Sequence, residues 1–315
     1  MMRLPIAWTL LAVVLMQVVS ACTDGSTGDG DGGGLVSAPP TVGATPSPVE
    51  VTGSDGSGII TARDFDVANF DEPTTIDNKY FPLEPGMRFV YEGAAEEGKQ
   101  QIVRRVVMSV TGLTKEILGA RNVVIWERDY SDGKLTESEL AFFAQDNDGN
   151  VWHFGEYPEE YENGEIVGTP TWFAGLAGAR AGITVKADPQ LGTPSYAQGF
   201  APPPVNWADR GRVYRMGRQT CVPAACYQDV LVTEEFERSK PGAFQLKFYA
   251  PGVGIVRVGW RGKNEKEQET LVLVKVARLS PEQLASMNEQ ALAIEARAYA
   301  ISPDVYGQTI PLEAP

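Results

Sequence analysis

The chain holds a single histidine, His153, so any Ser–His–Asp, Cys–His or histidine-rich metal chemistry would have to be built on it. It stands between Trp152 and Phe154 in a run that reads as a strand, which aims it to the face opposite both. No G-x-S-x-G stretch supplies a nucleophile, and the expectation is a structural or surface histidine. The acidic run Glu156-Tyr157-Pro158-Glu159-Glu160-Tyr161-Glu162 could offer paired carboxylates for glycosidic work or hard oxygen ligands for a cation. It follows a strand and has Pro and Gly nearby, so it reads as a solvated loop. Asp146-Asn147-Asp148-Gly149-Asn150 resembles part of a calcium loop, but an EF-hand register would open on Ala144 and close on Gly155, where carboxylates are needed. A hairpin turn is the better reading. With no P-loop and no strand–GxGxxG–helix unit, neither a metal nor a cofactor is expected.

Of the cysteines, Cys221 and Cys226 bracket Val222-Pro223-Ala224-Ala225. A redox site wants CxxC at a helix start, and a metal site wants more ligands close by. A local disulfide is therefore expected, in an oxidising compartment. Aromatic residues are frequent, and Trp172-Phe173, in a Gly/Pro-rich segment, is the best candidate for the wall of a ligand groove, with Trp152 a further one.

These residues must be positioned by a chain that reads as many short strands. Arg88–Tyr91, Ile102–Val110, Val123–Trp126, Leu140–Phe143 and Val151–Phe154 are rich in β-branched and aromatic residues and separated by turn signals such as Ser131-Asp132-Gly133. Later, Phe244, Leu246 and Phe248 alternate with polar neighbours, the chain reverses at Ala250–Gly254, and Val256, Val258 and Trp260 alternate on the return, before a last strand over Leu271–Val276. Turns between neighbours argue an antiparallel meander. Residues 168–217 read as long loops around short strands. One helix is clear: Ser280-Pro281-Glu282-Gln283 combines an N-cap, Pro at the first helical position and a capping-box Gln. Leu284, Met287, Ala291, Ile294 and Ala298 then form one apolar stripe to dock on the sheet.

The first residues have another character. Met1–Arg3 is short and positive, Leu4–Val19 almost wholly apolar, and Ser20-Ala21 small, the pattern of an export signal. The run Val19-Ser20-Ala21-Cys22 resembles the lipobox of bacterial lipoproteins, which implies cleavage before Cys22 and a diacylglycerol thioether on it. Residues 22–58 are Gly, Ser, Asp, Thr and Pro with almost nothing large, a composition that cannot offset its ordering entropy by burial and so reads as a tether. The expected organisation is thus a signal peptide over 1–21, a lipidated tether over 22–58, a β-rich domain over 59–279, and a helix and tail over 280–315.

Three further stretches, Asn78-Lys79-Tyr80-Phe81-Pro82-Leu83-Glu84-Pro85-Gly86, Asp148–Glu156 and Phe248–Gly254, together resemble a family of bacterial secreted proteins and lipoproteins with a "YFPL-PG" start. The resemblance spans roughly 76–276. It implies a β-rich extracytoplasmic domain and brings no activity or catalytic residues with it.

A net charge of -14 argues against nucleic acid, whose phosphates need a basic surface. The expected fold is a mainly β domain, an antiparallel meander curved strongly or into a half-open barrel, with the C-terminal helix packed on it. The expected role is a non-enzymatic lipoprotein on the extracytoplasmic side of the cell or outer membrane, binding a lipid or other small apolar or amphipathic ligand in a pocket between the sheet and the helix. Two alternatives stand beside it. One is a carboxylate-dependent hydrolase using Glu156–Glu165, which requires two carboxyls facing each other across a cleft. The other is an interaction module with a filled core.

Overall fold

A computed structural model of the chain describes residues 65–98 and 100–314. The signal segment, Cys22, the rest of the tether region and its junction with the domain, through residue 64, lie outside these residues.

The first half of the domain is a meander of long strands: β1 (Met87–Glu97), β2 (Gln100–Ile117), β3 (Ala120–Ser131), β4 (Lys134–Gln145) and β5 (Val151–Glu162). The irregular middle follows, with β6 (Glu165–Gly168), β7 (Trp172–Phe173), β8 (Arg180–Val185), β9 (Tyr196–Ala197) and β10 (Gly199–Phe200). A second meander closes the sheet portion: β11 (Arg210–Val222), β12 (Ala225–Phe236), β13 (Phe244–Ala250), β14 (Gly254–Arg261) and β15 (Thr270–Arg278). β1 pairs antiparallel with β15, joining the two meanders into one 15-stranded sheet that does not close into a barrel. The expected mainly β meander with one C-terminal helix is what forms.

The sheet margins approach each other all the same. Tyr196–Phe200 pairs through β9 with β11 and through β10 with β8, so one five-residue stretch touches both margins. The approach is close enough to demand glycine: a Cβ on Gly182 would lie 2.3 Å from the Gly199 nitrogen.

Each face of the sheet has its own core. On the inner face, Phe89, Tyr91, Met108, Ile125, Phe143, Tyr249, Val258 and Leu273 pack around Phe81, which is delivered by the Ile76–Leu83 segment. Phe81 meets Phe143 and Tyr249 edge to face, at 5.9 and 6.0 Å between ring centroids. On the outer face, Leu113, Val124, Trp126, Leu140, Phe142 and Phe154 receive the helix α1 (Pro281–Ile301). That helix starts with the full capping box, Ser280 Oγ accepting from Gln283 N while the Gln283 side chain accepts from Ser280 N. It buries Met287, Ala291, Ile294 and Ala298, and it ends before Pro303, with the Ser302 N–H bonded to Ala298 O. Each such side chain contributes roughly 1.5–3 kcal/mol when fully buried, Ala less. Helix and sheet meet through these buried side chains.

Candidate functional site

The inner face changes character along its strands. On β3 the residues Val123, Ile125, Glu127 and Asp129 share that face, and on β4 so do Glu137, Glu139, Ala141 and Phe143. The register sets Ile125 opposite Ala141, Glu127 opposite Glu139, and Asp129 opposite Glu137. The apolar half of each strand meets the Phe81 core, and the acidic half continues beyond it. Glu156 of β5 stands opposite Ala141 and joins the acids. All five carboxyls are buried, Glu156 completely.

Two cations reach this region. Arg104 of β2 donates to Glu269 at 3.1 Å and to Asp129 at 3.3 Å, and Lys247 of β13 pairs with Glu235 at 2.6 Å. Counter-charge is therefore scarce, and the acids respond by holding protons. Burial pushes Asp129, Glu137 and Glu139 well up, and neighbouring carboxylates push them further. Glu156 is raised to about 8 and Asp209 to about 7, in both cases chiefly by burial.

His153 lies in the same interior, not on the surface. Its ring stacks on Phe143 with centroids 4.7 Å apart and lies edge-on to Trp172 and Trp207. Burial lowers its pKa to about 3. The neutral imidazole holds its Nε2 3.0 Å from the Gly155 carbonyl, to which it donates. Glu156 Oε2 is 3.7 Å away, yet with both groups neutral near pH 7 this contact is no ion pair.

The acidic run is not the expected solvated loop. It continues β5 to Glu162, with Glu156 and Glu159 fully buried. The reason is long-range: β6, β7 and β8 all pair with β5, and Arg297 of α1 reaches across to hold both oxygens of Glu159 at 2.9 and 2.8 Å. Asp146–Asn150 does form a tight turn, in which Asp146 Oδ1 accepts from the Asn150 N–H at 2.8 Å. Among the described residues no His, Cys, Asp and Glu group is arranged to hold a metal ion.

The aromatic candidates separate. Trp172 and Phe173 form the floor of a mostly apolar cleft of about 410 Å³, whose walls are Pro202-Pro203-Pro204, Leu176 and, from the segment after α1, Val305. Trp172 tilts against Trp207 at 4.9 Å, and its indole N–H sits beside Glu156, just outside hydrogen-bond geometry. Trp152 does not reach the cleft. It packs with Phe65 and Phe70 and donates its indole N–H to Asp146 at 2.7 Å. Cys221 and Cys226 face each other at the end of the β11–β12 hairpin and are joined by a disulfide.

Glu127, Asp129, Glu137, Glu139, Arg104 and Lys247 are absent from the residues singled out by sequence. A signal was there: Glu127 and Asp129 continue the parity of Val123 and Ile125, and Glu137 and Glu139 that of Ala141 and Phe143. Parity shares out faces without saying which face is enclosed.

No family model matches the chain. No curated protein matches it either. Among solved structures, the chain is similar to one named for an exported protein with a YmcC-like fold from Bacteroides fragilis NCTC 9343, at 15% identity and a TM-score of 0.38. It is also similar to one named for a lipoprotein from Parabacteroides distasonis ATCC 8503, at 14% identity and a TM-score of 0.35. Each match covers 64% of this chain and 100% of the other.

Proposed function

We propose that this chain is a lipid-anchored, non-enzymatic extracytoplasmic protein of the cell or outer membrane that binds the apolar part of a small amphipathic molecule at the Trp172–Phe173 cleft. The anchor reading rests on the apolar leader and on Val19-Ser20-Ala21-Cys22. The cleft carries the binding reading. At about 410 Å³, with an apolar floor and Thr169, Thr171 and Ser302 among its lining, it has the size and lining of a small-molecule site.

The hydrolase alternative is disfavoured by access. Of the acids it would use, Glu156 is buried and raised to about 8, Glu159 is buried under Arg297, and Glu162 and Glu165 are exposed, so they do not line one cleft together. A general acid must reach the atom it protonates.

The test is native mass spectrometry of the chain purified from an export host, beside a denaturing spectrum. Extra mass released on denaturation, and lost in Leu176→Asn/Val305→Asn, supports the cleft. A bare mass across several hosts and added lipids sinks it and favours the interaction module. Incorporation of labelled palmitate, abolished in Cys22→Ser, tests the anchor separately.

A further inference from the structure

On the outer face, the helix covers only part of the sheet. Beyond its first turn an open groove of about 710 Å³ runs over β15, β1, β2 and β3, with Val90 and Val107 as its floor. The register brings basic residues around that floor. Lys275 stands opposite Val90, Arg128 opposite Val107, and Arg88 and Arg105 flank the two valines along β1 and β2. In a chain of net charge -14 this is a local reversal of sign.

We propose that this groove is a binding site for a phosphate-bearing anion, with Arg88 and Arg128 taking the phosphate oxygens and Arg105 and Lys275 flanking it.

The guanidinium groups are short of partners. Arg88 bonds only neutral atoms, Ser109 Oγ at 3.0 Å and Met287 Sδ at 3.7 Å. Arg128 lies 4.2 Å over the Trp126 ring, and its buried Nε has no hydrogen-bond partner. The acid of the groove, Glu92, pairs loosely with Arg105 at 3.9 Å, both side chains more than half exposed. Such a pair is worth little. Burial lowers the pKa of Arg88 and Arg128, and for Arg128 the positive charges of Arg88 and Arg105 add to the effect. Arginines held together against their own repulsion, each oriented by a ring or a hydroxyl, present forked donors of the geometry that phosphate oxygens accept. The same oriented donors would serve a soluble phosphate or the phosphodiester of a lipid headgroup.

The test uses the full chain in neutral detergent, at constant ionic strength, with two soluble probes followed by calorimetry. One is inorganic phosphate. The other is glycerophosphoglycerol, a phosphodiester headgroup without its acyl chains. The expected result is saturable binding of at least one probe, weakened at least tenfold in Arg88→Met/Arg128→Met and unchanged in Arg121→Met, whose arginine pairs with Glu313 elsewhere on the surface. Binding of phosphate alone identifies a soluble source, and binding of the diester a headgroup; either upholds the site. Binding of neither probe, or binding equally strong in the double variant, overturns it. The double variant keeps the aliphatic stems and relieves repulsion, so its Tm should equal or exceed that of the parent. If it fails to fold, Arg128→Gln carries the same comparison.

Discussion

Asp129 and Glu137 stand directly opposite each other on neighbouring strands, both buried and both holding their protons far above the ordinary carboxylate range. With Glu139 and Glu156 they make the interior a store of protons that the unfolded chain would release. A raised folded pKa adds stability that is whole below the unfolded value, near 4.5, and is lost as pH rises through the folded one. His153 works in the opposite sense, its contribution whole above its ordinary 6.5 and lost as pH falls toward about 3. Above pH 6.5 the unfolded histidine is mostly neutral as well, so from pH 6.5 to about 8 its remaining effect is small and the carboxyls dominate. One group protonated across that window is worth about 2 kcal/mol. In a domain of this size that moves Tm by roughly 4–8 °C. Tm should therefore fall from pH 6.5 to 8.5, and the slope should flatten in Glu156→Gln. A Tm that is level or rises over this range would contradict the protonated interior.

The near-meeting of the sheet margins leaves Gly182 no room for a side chain. An added methyl would run into the backbone of residues 197–199, with the Gly199 nitrogen at 2.3 Å, the Gln198 carbonyl carbon at 2.4 Å and the Ala197 oxygen at 2.6 Å. Backbone cannot rotate away as a side chain can. Gly182→Ala should cost about 3 kcal/mol or more, at the upper end for overpacking, as read from urea unfolding. A loss under 1 kcal/mol would show that the margins yield.

The C-terminal segment is clasped to the helix by one buried carboxylate. Glu295 accepts from Lys115 Nζ at 3.0 Å, from the Tyr306 hydroxyl at 3.1 Å and from Leu312 N at 2.9 Å. Glu295→Ala strands a fully buried ammonium and should destabilise by about 3–5 kcal/mol. Lys115→Met/Glu295→Leu removes both charges and should recover most of that loss. Chemical denaturation of both variants measures the difference; equal losses would mean that packing rather than charge is at stake.

The Cys221–Cys226 bridge closes a short hairpin, with a sequence separation of 5. On the chain-entropy model a loop that small gains about 2 kcal/mol. Cys221→Ser/Cys226→Ser should lower stability by that order while leaving the fold, read by circular dichroism, intact. Collapse of the whole domain on reduction would show a larger role.

How much of this was legible depends on the reach of the physics involved. The helix from Pro281 is written locally: Ser280, Pro281 and Gln283 settle its start within four residues, and Met287, Ala291, Ile294 and Ala298 choose its buried face. The strands and their turns are written by alternation over a few residues, and the Cys221–Cys226 pairing by proximity along the chain. The fate of the acids is not local. Glu156 and Glu159 read as solvent-loving residues until β6, β7 and β8 pair with their strand and Arg297 arrives from the far end of the chain to hold Glu159. Alternation tells that Glu127, Asp129, Glu137 and Glu139 share faces with Ile125 and Phe143, but only the wrapping of the sheet makes that face an interior. The outer groove follows the same rule. Arg88, Arg105, Arg128 and Lys275 lie on four strands scattered over the sequence, and only strand register, a long-range property, sets them around Val90 and Val107.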